Sequence, residues 1–128
     1  MSRKESRERV FKLIFEYVFT REIDDDLLAD YLSEIGDEGE KEYASRVYFG
    51  VAQNFDYLWD KIEKATTGYS SKRIYKVDMA LMMLALYEIE FEKDIPTKVS
   101  INEVINLSKI YSTEKSASFI NGVLAKVI

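Results

Sequence analysis

The most constraining stretch of this chain is Met79-Ala80-Leu81-Met82-Met83-Leu84-Ala85-Leu86-Tyr87, nine apolar residues in a row. With Val77 before it and Ile89 after it, the segment from Val77 to Phe91 is apolar on nearly every side of a helix. Such a helix has no face to give to water, so it belongs at the centre of its fold. Nine apolar residues are too few to span a bilayer, which takes about 20. The segment therefore needs a surrounding ring of amphipathic helices, and the rest of the sequence provides one.

The first of these runs from Arg3 to Thr20. Ser2 and Glu5 have the spacing of a capping box, and Val10, Leu13, Ile14, Tyr17 and Val18 recur near the 3.6-residue period. A second helix is expected from Asp25 to Ile35. Asp24-Asp25-Asp26 stands at its positive end and Gly36 at its finish. These aspartates lack the alternation, glycine and distal glutamate of a calcium loop, so a cap is the favoured reading. A long third helix is expected from Glu42 to Lys64, with Tyr43, Val47, Gly50, Val51, Asn54, Leu58 and Ile62 in phase and Gly50 allowing close helix approach. Tyr57 and Trp59 read as packing at the end of the bundle.

Thr66-Thr67-Gly68 breaks the pattern. A short helix near Ser70, with Lys72, Arg73 and Lys76 exposed, would precede the central segment. After the turn at Lys93-Asp94-Ile95-Pro96, Ser100 and Glu103 suggest a second capping box ahead of Ile101, Val104, Ile105, Leu107 and Tyr111. Ser112-Thr113 interrupts again, and a last helix carries Ile120, Val123, Leu124 and Val127 to the C terminus. One proline and five glycines are sparse punctuation for a strand-and-turn architecture. The expectation is an all-α fold of about six to seven helices.

Composition narrows the chemistry. Without histidine or cysteine, histidine-dependent nucleophilic triads, histidine- or thiolate-held zinc and disulfides are excluded. The glycines form neither a dinucleotide fingerprint nor a phosphate loop. No catalytic residues, cofactor or metal are expected, and the chain reads as non-enzymatic. The N terminus lacks a signal-peptide apolar region, so a soluble cytoplasmic protein is expected.

The net charge of −5 conceals a strong asymmetry. Glu22 to Glu42 holds ten acidic residues and one lysine, whereas Met1 to Lys12 carries net +3 and the segment from Pro96 onward net +2. Local charge steers a polyanion more than the average does. At about 100° per residue, Arg3 and Arg7 continue the apolar line of the first helix. That row is either a solvated helix end or a set of arginines aimed at an anion. In the last helix, Lys115, Phe119, Gly122 and Lys126 form one flank beside the core stripe. The flank permits close packing through Gly122, or a surface where the aromatic stacks on a base and the lysines meet phosphates. Asp78 is either a dipole partner at its helix start or a carboxylate offered to a basic partner.

The ordered set Ala85-Leu86-Tyr87-Glu88-Ile89, Ile95-Pro96-Thr97-Lys98-Val99-Ser100-Ile101-Asn102-Glu103, Leu107-Ser108-Lys109 and Phe119-Ile120-Asn121-Gly122-Val123-Leu124 resembles the NusB family of bacterial transcription antitermination factors. Arg7 to Phe15, Tyr43 and Gly50-Val51 extend the resemblance over nearly the whole chain. It implies two small packed helical bundles, about 1–66 and about 69–128, forming one RNA-binding domain. It implies binding of boxA in single-stranded ribosomal RNA leader transcripts, together with the ribosomal protein NusE, in an assembly on RNA polymerase that suppresses premature termination. The RNA-binding residues it implies are Arg3, Lys4, Arg7, Lys115, Ser116 and Phe119, with Asp78 facing NusE. It leaves monomer and homodimer both open. Without RNA binding, the chain reads as a helical protein-interaction module.

Overall fold

The computed structural model describes residues 2–66 and 74–128. The helix expected near Ser70, with Lys72 and Arg73, lies outside them. The described residues form seven helices: α1 Arg3–Thr20, α2 Asp25–Ser33, α3 Glu38–Gln53, α4 Phe55–Ala65, α5 Lys76–Phe91, α6 Thr97–Tyr111 and α7 Ser116–Val127. None is long and apolar enough to cross a membrane. The all-helical expectation is met.

The central segment behaves as its pattern requires. Every residue of α5 from Asp78 to Glu88 is buried, and the helix packs against α1, α3, α4, α6 and α7. α1 also lies along α3, and α7 against α4 and α6. The Ser2–Glu5 capping box forms at the start of α1, and Asp24 caps α2 by accepting from the Leu27 N–H. A smaller apolar cluster of Leu13, Leu28 and Tyr48 attaches α2 to α1 and α3.

Boundaries differ from the periodic reading in α3, which starts at Glu38 rather than Glu42, at its far end and at the start of α6. The long third helix is two helices, broken at Asn54, whose side-chain amide donates to the Gly50 carbonyl at 2.8 Å. Apolar phase continues through the break, which is why periodicity alone joins the two pieces. The second capping box does not form, because α6 already starts at Thr97. Ser100 is instead inside the helix and donates to the Glu88 carboxylate at 2.7 Å.

Gly50 fulfils its expected role. A β-carbon there would lie 2.1 Å from the Tyr87 hydroxyl oxygen, so the absence of a side chain sets the α3–α5 distance. Gly50→Ala should cost about 1–3 kcal/mol through overpacking, read as a lower urea midpoint with an unchanged slope.

Candidate nucleic-acid interface

The sequence reading grouped Arg3, Lys4 and Arg7 at the start of α1. The structure separates them. Lys4 is exposed and forms no ion pair among the described residues. Arg3 is part-exposed; its Nε donates to Glu40 at 2.8 Å, and its guanidinium lies 4.0 Å over the Tyr43 ring. Arg7 is only 3% exposed. Its Nε and Nη2 donate to the two Glu88 carboxylate oxygens at 2.8 and 3.1 Å. The arginine row does meet an anion, but for Arg7 that anion is inside the protein. Arg7 continues the line of the buried stripe, so its phase sends it into the core.

Glu88 is fully buried and also accepts from the Tyr43 hydroxyl and from Ser100 Oγ. Burial opposes the charge on Arg7, yet its hydrogen bonds to Glu88 hold its pKa above the ordinary value. Burial, followed by the nearby Glu88 charge, pushes the Tyr43 phenol well above its ordinary range.

Around Lys4 the charge is mixed. A small cavity of about 170 Å³ between α1 and α6 is lined by Lys4 and Arg7 and also by Glu5, Glu8 and Glu103. The Tyr111 hydroxyl closes its neighbourhood by donating to Glu8 at 2.8 Å. This end of the molecule offers Lys4, and less freely Arg3, to a phosphate.

The second predicted surface is better built. A groove of about 800 Å³ lies where the end of α4, the start of α5 and one flank of α7 meet. Lys115, Phe119, Gly122 and Lys126 line it, as the helical spacing predicts, with Tyr75 and Thr113 beside them. Phe119 is half-buried and packs against the core. Lys115 and Lys126 are exposed and form no ion pairs among the described residues. A β-carbon at Gly122 would meet nothing within 4 Å among the described residues. Among the described residues Gly122 thus serves no close helix packing and leaves space beside the aromatic.

Asp78 and Ser116 hold this groove together from beneath. Both are buried. Ser116 Oγ donates to one Asp78 carboxylate oxygen at 2.9 Å and Ser112 Oγ to the other at 2.6 Å. The carboxylate thus sits at the first residue of α7, where negative charge complements the helix dipole. Asp78, the residue expected to face a partner, lines the groove floor and is bonded within the chain. Its oxygens face serines within the chain, and the Ser116 hydroxyl is committed to it. Neither Lys115 nor Tyr75, the cap residues of α7 and α5, makes a side-chain cap hydrogen bond.

Sequence reasoning overlooked Glu88, Tyr75 and Ser112. A carboxylate set directly after the nine-residue apolar run is a usable signal for Glu88, since a buried charge demands a partner. No comparable signal marks Tyr75. Among the described residues, no group of three or more acidic side chains could hold a metal ion.

Removing either partner of the buried pair strands the other. Arg7→Ala and Glu88→Gln should each cost about 3–5 kcal/mol, measured by urea unfolding. The raised Tyr43 pKa stabilises the fold fully below the unfolded tyrosine value of about 10. That stability is lost as pH rises through the folded value. In an alkaline titration, Tyr43 phenolate absorbance should therefore appear together with loss of helical circular dichroism.

A sequence model of the NusB family matches residues 4–128. The chain is 40% identical over 129 residues to the transcription antitermination protein NusB of Clostridium acetobutylicum, covering all of this chain and 96% of that one. It is 42% identical over 130 residues to the corresponding protein of Agathobacter rectalis, covering 98% of each. Its fold superposes on T. maritima NusB with a TM-score of 0.89 at 38% identity, over 99% of this chain and 90% of that one. It also superposes, with a TM-score of 0.85 at 24% identity, on a chain from a crystal structure of antitermination factors NusB and NusE in complex with dsRNA, over 98% and 94% of the two chains. That last likeness is one of fold. By family match and by identity over its full length, the chain belongs to the NusB family.

Proposed function

We propose that this chain is a non-enzymatic transcription antitermination factor of the cytoplasm. It binds boxA in the leader of ribosomal RNA transcripts together with NusE, and within an assembly on RNA polymerase it suppresses premature termination. The α7 groove carries this reading. Among the described residues it combines an aromatic side chain, two lysines without ion pairs and open space over Gly122. Single-stranded RNA offers the complementary features, an unstacked base and a flanking phosphate.

The proposed contacts are Phe119 to a base, Lys115 to phosphate, and Lys4 with Arg3 to phosphate at the other end of α1. Arg7, Ser116 and Asp78 have support roles in this proposal. Arg7 holds the start of α1 against α5 through Glu88, and Asp78 holds the start of α7 through Ser116. The antitermination role is supported by the curated relatives, which are named transcription antitermination proteins. NusE and RNA as companions are supported by the complex solved for the fold neighbour. With so few free cations, binding without NusE should be modest.

Binding of the full chain, with NusE, to a boxA RNA and a scrambled control tests the proposal. Phe119→Ala should weaken boxA binding by about 1–3 kcal/mol; because the half-buried ring also packs against the core, binding is compared well below the melting temperature of both proteins. Lys115→Ala should reduce the slope of log K against log salt by about 0.7, one single-strand phosphate contact. Gly122→Ala should stabilise the fold by about 0.4–1 kcal/mol and still weaken RNA binding, because the methyl enters the groove. Equal binding of both RNAs, unaffected by Phe119→Ala, would overturn the proposal in favour of a protein-interaction module.

A further inference from the structure

Tyr75 is the feature of the groove that the RNA reading leaves unused. It precedes α5 and is 59% exposed. Isolated exposed aromatics are common and ordinarily need no explanation. Tyr75 differs because its exposed ring lines the same groove as Phe119, Lys115 and Gly122. Its ring makes no aromatic contact, and its hydroxyl no hydrogen bond, among the described residues. Phe91 is exposed too, but its ring stacks on Tyr87 at 4.9 Å.

The backbone holds Tyr75 in place while leaving its side chain uncommitted. Its carbonyl accepts the Met79 N–H at 2.9 Å, closing the first turn of α5. Asp78 in that same turn ties α5 to the start of α7 through Ser116. The helix that presents Tyr75 and the helix that presents Phe119 are therefore joined by a buried hydrogen-bonded link next to both residues. Two aromatic side chains thus line one groove, with a cation at Lys115. Neighbouring Lys76 places its ammonium 5.7 Å over the Trp59 ring, outside the groove, whose lining also holds Glu114 next to Lys115.

We infer that Tyr75 is a second base-stacking residue, taking a nucleobase of single-stranded RNA next to the one that meets Phe119. The inference rests on the RNA-binding reading above. Each base has a π-face, so a stacking platform adds affinity with little sequence preference. Tyr75 would lengthen the stretch of strand the protein holds, while base identity is read elsewhere.

The test uses the full chain with NusE and a short boxA RNA carrying the fluorescent base 2-aminopurine at successive positions. Tyr75→Ala should weaken binding about fivefold to 150-fold, the equivalent of about 1–3 kcal/mol. Its salt slope should not change, and 2-aminopurine quenching should disappear at one position, distinct from the position affected by Phe119→Ala. Tyr75→Phe should retain both affinity and quenching, because the ring is what stacks. Among the described residues the side chain makes no hydrogen bond or ring contact and is 59% exposed, so melting temperatures should change little in both variants. If Phe119→Ala weakens binding and Tyr75→Ala does not, the inference fails and the RNA reading stands. If Tyr75→Phe loses as much as Tyr75→Ala, the hydroxyl is responsible and stacking is overturned. If neither Phe119→Ala nor Tyr75→Ala changes binding, the RNA reading itself fails.

Discussion

A single carboxylate, Glu88, joins four helices of this protein. It lies on α5 and receives Arg7 from α1, Tyr43 from α3 and Ser100 from α6. A charge in an apolar interior is tolerated only when it is paired and its oxygens are fully hydrogen-bonded. Here both oxygens are occupied, and no buried side-chain polar atom among the described residues lacks a partner. The apolar contacts of α5 are non-directional and would tolerate small shifts of its neighbours. The Glu88 bonds are directional, and they define how α1, α3 and α6 meet around it.

Asp78, near the other end of α5, has a similar role on a smaller scale. It receives two hydroxyls, from Ser112 and Ser116, and so fixes the break between α6 and α7. The groove then lies directly outside this link. Its exposed residues need not contribute to stability, because the buried acid beneath them already holds the helix starts. Lys115, Gly122 and Tyr75 line the groove outside this link, together with the half-buried Phe119, which also packs against the core.

Much of this was legible in residue order. The capping box at Ser2, the Asp24 cap, the all-round apolar α5 and the Gly50 approach all follow from local chemistry or helical period. So does the α7 flank, because residues spaced by three and four share a face wherever the helix lies. The differences come from what helical period leaves out. Period assigns a residue to a face but does not say what lies opposite that face. Arg7 was correctly placed in line with the buried stripe and then read as exposed, since its partner is 81 residues away. Ser100 matched a capping box, yet the helix had begun earlier and the hydroxyl found Glu88. The join between α3 and α4 was missed because apolar phase carries through Asn54.

The sequence alone determined that this chain is helical, that Val77 to Phe91 forms its centre, and which side chains share the α7 flank. These are consequences of short-range stereochemistry and of the cost of exposing apolar surface. Only the tertiary structure decided which charges turn inward and which remain outside. Arg7 and Lys4 are both cations near the start of α1, but one faces a carboxylate on a distant helix and the other faces water. Likewise Tyr75 and Phe119 are 44 positions apart in the chain, and only the packing of α5 against α7 brings them to one groove. Long-range pairing of this kind depends on the relative placement of whole helices, which no local pattern encodes.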